Sequence, residues 1–372
     1  MTVSLRPTYL EVNLTQLQRN IAAIRAHVAP AMVMPMVKAN AYGHGVDGVA
    51  PFIEPYVDYF GVAILEEAIQ LRDFGVKKPI LVAGGTLPSQ VPHFAVYDLT
   101  LTASSIELLD AAEEVSRLTG RRIRTHLKID TGMERVGVHE YEAGPFIEHS
   151  LKLRNIDIEG IYTHLANSEE PDLIHAHLQL ERFQEVLGVY EKLSEPHPPL
   201  RHMANSAAVL QFPESYFDMV RPGIMFYGIY PRGVARTVEI APALTWKSRV
   251  AYSKRTRSGR SVSYGSLWQA EAETGIVTVP CGYADGYFRR MTNKSQVIVH
   301  GKRYPQVGRI CMDQFMVDVG DNDVKVGDEV ILLGKAGDER IAVEDLAEWM
   351  GTNEYEVLTD ISARVPRMFV TE

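Results

Sequence analysis

The sequence predicts an α/β fold in two parts. An N-terminal (β/α)8 barrel spans residues 1–240, and a mostly-β domain spans 241–372. Three observations predict this. Short apolar runs alternate with helix-patterned segments from residue 32 to 224, as a parallel βα barrel requires. Near residue 240 that alternation gives way to Val-, Ile-, Thr- and Tyr-rich segments separated by Gly turns. The 372 residues are enough for two domains.

In chain order, residues 13–28 (NLTQLQRNIAAIRAHV) place Leu14, Leu17, Ile21, Ile24 and Val28 on one helical face. Strands are expected at 32–38, 58–63, 80–83, 96–101, 123–129, 156–163, 200–204 and 218–224, with helices at 65–73, 104–118, 140–150 and 172–193. A doubly wound open sheet is the alternative, but it usually has fewer strands and one phosphate turn after the first. The segment 194–200, SEPHPPL, reads as a surface loop. Past 240, ALTWKSRVAYSKRT, TGIVTVPCGYADG, SQVIVHGKRYPQVGR and DEVILLG read as strands and turns. Only 343–350 and a short stretch at 353–357 look helical there, and the first ten or so residues are candidates to pair with this second domain.

Composition excludes several function classes. The chain has 47 acidic and 38 basic residues, a net charge of −9, and no basic block to attract nucleic acid or an anionic membrane. No apolar run approaches the ~20 residues of a membrane span, and the N-terminus has no secretory apolar core. Cys281 and Cys311 form no disulfide framework or metal spacing, which fits a reducing cytoplasm.

Barrel enzymes carry their chemistry on the loops that follow the strands. The first apolar run, AMVMPMV, ends at Lys38, with Tyr42 just beyond. A lysine at the mouth of a buried strand is desolvated, which lowers its pKa and frees its amine to condense with an aldehyde. Taken alone it would be a capping lysine with its head in water. After the fifth strand come Lys128 and Arg135, after the sixth His164, after the seventh Ser206, and after the eighth Arg221, Gly223 and Ile224. The last two loops suit phosphate, although Ser206 alone could equally be a helix N-cap and Gly223 a turn residue. A phosphate cradle beside a reactive lysine points to pyridoxal phosphate. His175 and His177 lie two apart on a helix and do not share a face, so no metal is expected.

At these residues the sequence resembles the alanine racemase family. The matching motifs are VKANAYGHG (37–45), KIDTGMERVG (128–137), THLANS (163–168), MANSAA (203–208), RPGIMFYG (221–228), SYGS (263–266), GYADGYFR (282–289), VGRICMDQ (307–314) and NEYEVLTDIS (353–362). They cover essentially the whole chain in family order. The resemblance implies interconversion of L-alanine and D-alanine in a cytoplasmic homodimer. Lys38 would hold pyridoxal 5'-phosphate as an internal aldimine and act as one base, with Tyr264 of the second subunit as the other. Tyr42, Ser206, Gly223, Ile224 and Tyr355 would hold the phosphate. Arg221 would donate to the pyridine nitrogen, with His164 bonded into that network. Arg135 and the backbone of Met312 would bind the substrate carboxylate. Tyr283, Arg289, Arg309 and Asp313 would line the entrance, and Lys128 would carry a carbamate that positions Arg135.

The implied roles agree with elementary chemistry. Racemisation takes a proton from one face of a carbon and returns one to the other, which two opposed bases do most simply. An arginine at the pyridine nitrogen keeps its proton, which weakens the electron sink and favours quick reprotonation. A small substrate is expected, alanine first, with serine as the alternative of broader specificity. Three rivals remain. A GxGxxG match at 43–48 suggests a nicotinamide dehydrogenase, but Lys38 to Tyr42 separate it from the strand. A pyridoxal phosphate carrier would lack the second domain and Tyr264. A decarboxylase on the same plan would carry other motifs. Whether the product D-alanine feeds peptidoglycan precursors or the reaction degrades it is left open by the sequence.

Overall fold

The computed structural model describes residues 6–196 and 198–371. It divides into two compact units, one of residues 16–41 and 46–241, the other of 1–15, 42–45 and 242–372.

The first unit is a parallel barrel. Its strands are β1 (Met32–Val33), β2 (Phe60–Val62), β3 (Ile80–Val82), β4 (Thr100–Ala103), β5 (Arg124–Asp130), β6 (Asp157–Tyr162), β7 (Leu200–His202) and β8 (Met219–Val220). Each pairs in parallel with its sequence neighbour from β2 round to β8, and β8 pairs with β1. A parallel bridge between Met36 and Gly61 closes the ring between β1 and β2. The helices Leu65–Asp73, Ile106–Thr119, Ala143–Ser150 and Ile174–Lys192 lie where the apolar spacing places them. Met34, Tyr59, Leu81, Tyr162 and Met219 form one buried cluster of the barrel core.

All but β5 are shorter than expected, because a barrel strand needs only a few ladder bonds before its functional loop begins. The fourth was misplaced. Residues 91–97 form a helix that Asp98 ends in the left-handed region at φ 52°, and the strand begins only at Thr100. Val96 and Tyr97 resemble strand residues, and the turn at Asp98 carries no glycine to warn of it. Of the loop expected at 194–200, His197 lies outside the described residues, and Leu200 already opens β7.

The second unit is a mostly antiparallel sheet. Its strands run, in spatial order, Tyr252–Thr256, Thr274–Val279, Phe315–Gly320, Lys302–Val307, Gln296–Val299, Glu329–Ala336, Leu244–Arg249, Tyr9–Asn13 and Arg367–Val370. Tyr9–Asn13 lies antiparallel to Leu244–Arg249 and parallel to Arg367–Val370. Helices Val343–Met350 and Glu354–Thr359 of the same unit pack together. Among the described residues, no helix is long and apolar enough to cross a membrane.

Candidate active site

Lys38 sits at the start of an unusual turn. Ala39, Asn40, Ala41 and Tyr42 all adopt left-handed φ values of 50–54°. For non-glycine residues this conformation costs roughly 1–2 kcal/mol each, so the surroundings must hold it. Three bonds do. Ala41 N–H donates to Val37 O at 2.9 Å, Ala39 N–H to Glu67 Oε1 at 2.6 Å, and Val46 N–H to the Asn40 side-chain oxygen at 2.8 Å. The other Glu67 oxygen accepts from Ala63 N–H and Ile64 N–H, so one carboxylate joins the Lys38 turn to the start of helix Leu65–Asp73. Burial lowers the Lys38 pKa, Arg135 lowers it further, and Glu67 works the other way.

Arg221 follows β8 and is almost wholly buried. Its Nη1 donates to His202 Nδ1 at 2.8 Å. Its Nη2 donates to Thr163 O, Met203 O and His164 Nδ1 at 2.8, 3.0 and 3.0 Å. The guanidinium also lies 5.2 Å from the Tyr162 ring centroid. None of these bonds uses Nε, and none of these partners is an anion. Burial and Arg135 lower the Arg221 pKa to about 10, with Tyr162 opposing, so it keeps its proton at neutrality. Burial and the facing cations hold His164 and His202 well below the usual imidazole range, and both remain neutral acceptors.

Ser206 lies at the first turn of helix Ser206–Gln211, but it is not the cap. Asn205 is: its side-chain oxygen accepts from Ala208 N–H at 3.1 Å and from the Ser168 hydroxyl at 2.8 Å. The Ser206 hydroxyl instead accepts from Gly223 N–H at 2.8 Å and Met225 N–H at 3.4 Å, joining the loops after β7 and β8. Lys128, on β5, is buried and donates to Ile129 O at 2.7 Å. Burial lowers its pKa to about 7; Asp130 opposes this, and Arg221 and Arg135 add to it. Asp130 organises the next loop by accepting from the N–H groups of Gly132, Met133 and Arg135. Arg135 itself is exposed. The first unit thus brings Lys38, Arg135, Lys128, His164 and Arg221 into one electrostatic neighbourhood and joins Ser206 to Gly223 directly.

The second unit gathers most of the others. Tyr264 is 71% exposed and sits between Ser263 (φ 67°) and Gly265 (φ 74°). The Ser263 hydroxyl donates to Arg309 O at 2.6 Å and lies 3.4 Å from Cys311 Sγ. Tyr283 and Ala284 N–H donate to Cys311 O and Met312 O, both at 3.0 Å. This crossing requires Gly282, because a Cβ there would lie 2.3–2.5 Å from the Cys311 and Met312 backbone. Asp313 pairs with Arg364 at 2.8 Å. Arg289 begins a short turn whose Thr292 hydroxyl accepts from Ile310 N–H. The Tyr42 and Tyr355 rings lie 6.2 Å apart.

The donor set fits a phosphorylated pyridine aldehyde. A lysine with a lowered pKa supplies the amine, a serine hydroxyl and loop N–H groups can take the phosphate, and Arg221 offers a donor with no competing carboxylate. Among the described residues no cluster suits a metal. Sequence reasoning missed His126, His202, Glu159, Asn205, Glu67 and the buried Asp285, which accepts from Arg6 at 2.6 Å. The period-2 alternation of β5 was the available signal for His126, since it points to the same side as Lys128.

Comparison with known proteins agrees with the fold and chemistry. Residues 12–231 match the family described as alanine racemase, N-terminal domain, and residues 243–369 the alanine racemase, C-terminal domain. The chain is 46% identical to an alanine racemase of Carboxydothermus hydrogenoformans over 98% of this chain and 100% of that one. It is similar to the solved alanine racemase of Clostridium difficile 630, with TM-score 0.92, 36% identity and coverage of 100% and 97%. A histidine racemase from Leuconostoc mesenteroides also superposes, with TM-score 0.90, 29% identity and 99% coverage of each chain.

Proposed function

For this chain, which belongs to the alanine racemase family and interconverts L-alanine and D-alanine, we propose how its own residues divide the work. The family is pyridoxal phosphate-dependent, and in this reading pyridoxal 5'-phosphate is held by Lys38, Tyr42, His164, Ser206, Arg221, Gly223, Ile224 and Tyr355. Bound there, it supplies an electron sink that acidifies the α-carbon of the amino acid. Lys38 Nζ and Tyr264 Oη remove and return the proton at that carbon from opposite faces. Arg135 and the Met312 backbone N–H bind the substrate carboxylate. Tyr283, Arg289, Arg309 and Asp313 shape the entrance, and Lys128, neutral in part near pH 7, is poised to take up carbon dioxide as an anionic carbamate that orders Arg135.

The observation that carries this reading is Arg221. A buried guanidinium held only by carbonyls, imidazole lone pairs and an aromatic face keeps its proton on the arginine. That restrains charge delocalisation into the ring and favours racemisation over side reactions. The domains in this reading are 1–240 and 241–372, with the short N-terminal strand serving the second.

We place Tyr264 and Met312 in the partner's site, which makes the enzyme a homodimer acting in the cytoplasm. The exposure of Tyr264, Met312 (53%) and Tyr283 (40%) supports a docking role for this face. Purified protein with added pyridoxal phosphate should convert L-alanine to racemate by chiral chromatography, with serine slower and histidine slower still. Equal turnover of histidine would move the specificity assignment to the larger side chain. Mixing Lys38→Ala with Tyr264→Phe chains tests the shared site. Mixed dimers would each carry one intact site, so activity should return to about a quarter of wild type; no recovery would refute sharing.

A further inference from the structure

A line of hydrogen bonds runs through the barrel core, and it can point only one way. Arg221, just past the C-terminal end of β8, has only N–H donors. The His202 Nδ1 that it meets at 2.8 Å must therefore be bare, which puts the His202 proton on Nε2. That atom lies 2.9 Å from His126 Nδ1, which must in turn be bare. The His126 proton is then on Nε2, facing Glu159 Oε2 at 3.5 Å, where it makes no hydrogen bond and the pull of the carboxylate is electrostatic. From the other side the Tyr59 hydroxyl donates to the same Glu159 oxygen at 2.7 Å. Tyr59 thus accepts from Thr100 at 2.7 Å, and Thr100 accepts from Arg124 Nε at 3.4 Å.

Two arginines, one at each end of the barrel, therefore direct every hydrogen toward one carboxylate. His126 and His202 are fully buried. Glu159 lies near the start of β6, on the floor opposite the catalytic mouth, with 27% of its side chain exposed. Burial raises the Glu159 pKa, but the facing His126 and the hydrogen bond from Tyr59 outweigh it and keep the group ionised. Gly160 makes room for the chain: a Cβ there would lie 2.7–2.8 Å from the His126 ring.

We propose that Glu159 is a positioning residue for Arg221, acting across the barrel by fixing the tautomers of His126 and His202. The charge at the floor keeps the His202 Nδ1 lone pair on Arg221 Nη1 and leaves Nε unengaged by that chain. The catalytic consequence rests on Arg221 facing the cofactor; the tautomers do not.

The test is nitrogen NMR of 15N-histidine-labelled enzyme, prepared with and without pyridoxal phosphate and assigned by His126→Asn and His202→Asn. Both histidines should be neutral and protonated on Nε2 from pH 6 to 9. A cation, or a proton on Nδ1 of either, overturns the proposal. With the carboxylate gone, Glu159→Leu should let His126 and His202 turn their protons to Nδ1 and push Arg221 off His202, so Nδ1-protonated forms should appear and pyridoxal phosphate binding should weaken about tenfold, as loss of one hydrogen bond to a charged group would. Glu159→Gln, whose amide oxygen can still accept, should restore both. Unchanged tautomers in Glu159→Leu also overturn the proposal. Altered tautomers with unchanged cofactor affinity uphold the chain and count against Arg221 facing the cofactor. Should Glu159→Leu fail to fold, the wild-type spectrum decides.

Discussion

Glu67→Ala is the sharpest structural test of how Lys38 is presented. The carboxylate accepts three backbone N–H groups, from Ala39 at 2.6 Å, Ala63 at 2.8 Å and Ile64 at 3.3 Å. The first holds the Lys38 turn and the other two start a helix. Counting about 1–1.5 kcal/mol for each of the two short bonds and less for the long one, the loss is about 2–4 kcal/mol. The left-handed turn stores roughly 3–6 kcal/mol at Ala39, Ala41 and Tyr42, so losing this tie should let it relax. Thermal unfolding should fall by about 4–16 °C, at roughly 2–4 °C per kcal/mol for a domain of this size. Racemase kcat/KM should fall with it. Removing the carboxylate that raises the Lys38 pKa should also shift the lysine's titration further down. A melting point within ~2 °C of wild type, together with unchanged kcat/KM, would refute the idea that Glu67 holds the turn.

Two further outcomes follow from other parts of the chain. Gly282→Ala drives a Cβ into the Cys311 and Met312 backbone, and should cost about 3–5 kcal/mol from overpacking and the loss of two backbone bonds; calorimetry should show it, alongside loss of activity. Lys128 has a folded pKa of about 7 against 10.5 for the free side chain. Between those values the unfolded chain binds more protons, so in bicarbonate-free buffer stability should rise with pH from about 7 to 10.5 and level off below 7. Urea midpoints across that range should show this rise in wild type and a flatter profile in Lys128→Met.

Much of this was legible in the sequence because barrels place chemistry after strands. The order Lys38, His164, Ser206 and Arg221 could be read once the strands were counted, whereas Lys128, expected just after the fifth strand, lies within it. What could not be read depends on tertiary partners. The role of Ser206 turned on Asn205 taking the cap, which both residue types can do. The left-handed Lys38 turn breaks local preference at Ala39 and Ala41, and part of what holds it is Glu67, nearly thirty residues on. His126 looked like an ordinary strand residue until Glu159, on the next strand, and His202, on the one after, came within reach. The helix at 91–97 shows the converse, with β-favouring side chains overruled by packing.

In the proposed mechanism Lys38 and Tyr264 serve opposite faces of one carbon. Solvent deuterium incorporation at the α-carbon, followed separately for L-alanine and D-alanine with Tyr264→Phe, tests it most directly. Exchange from one enantiomer should collapse while exchange from the other, served by Lys38, survives largely intact. Equal loss from both enantiomers, or no loss from either, would contradict it.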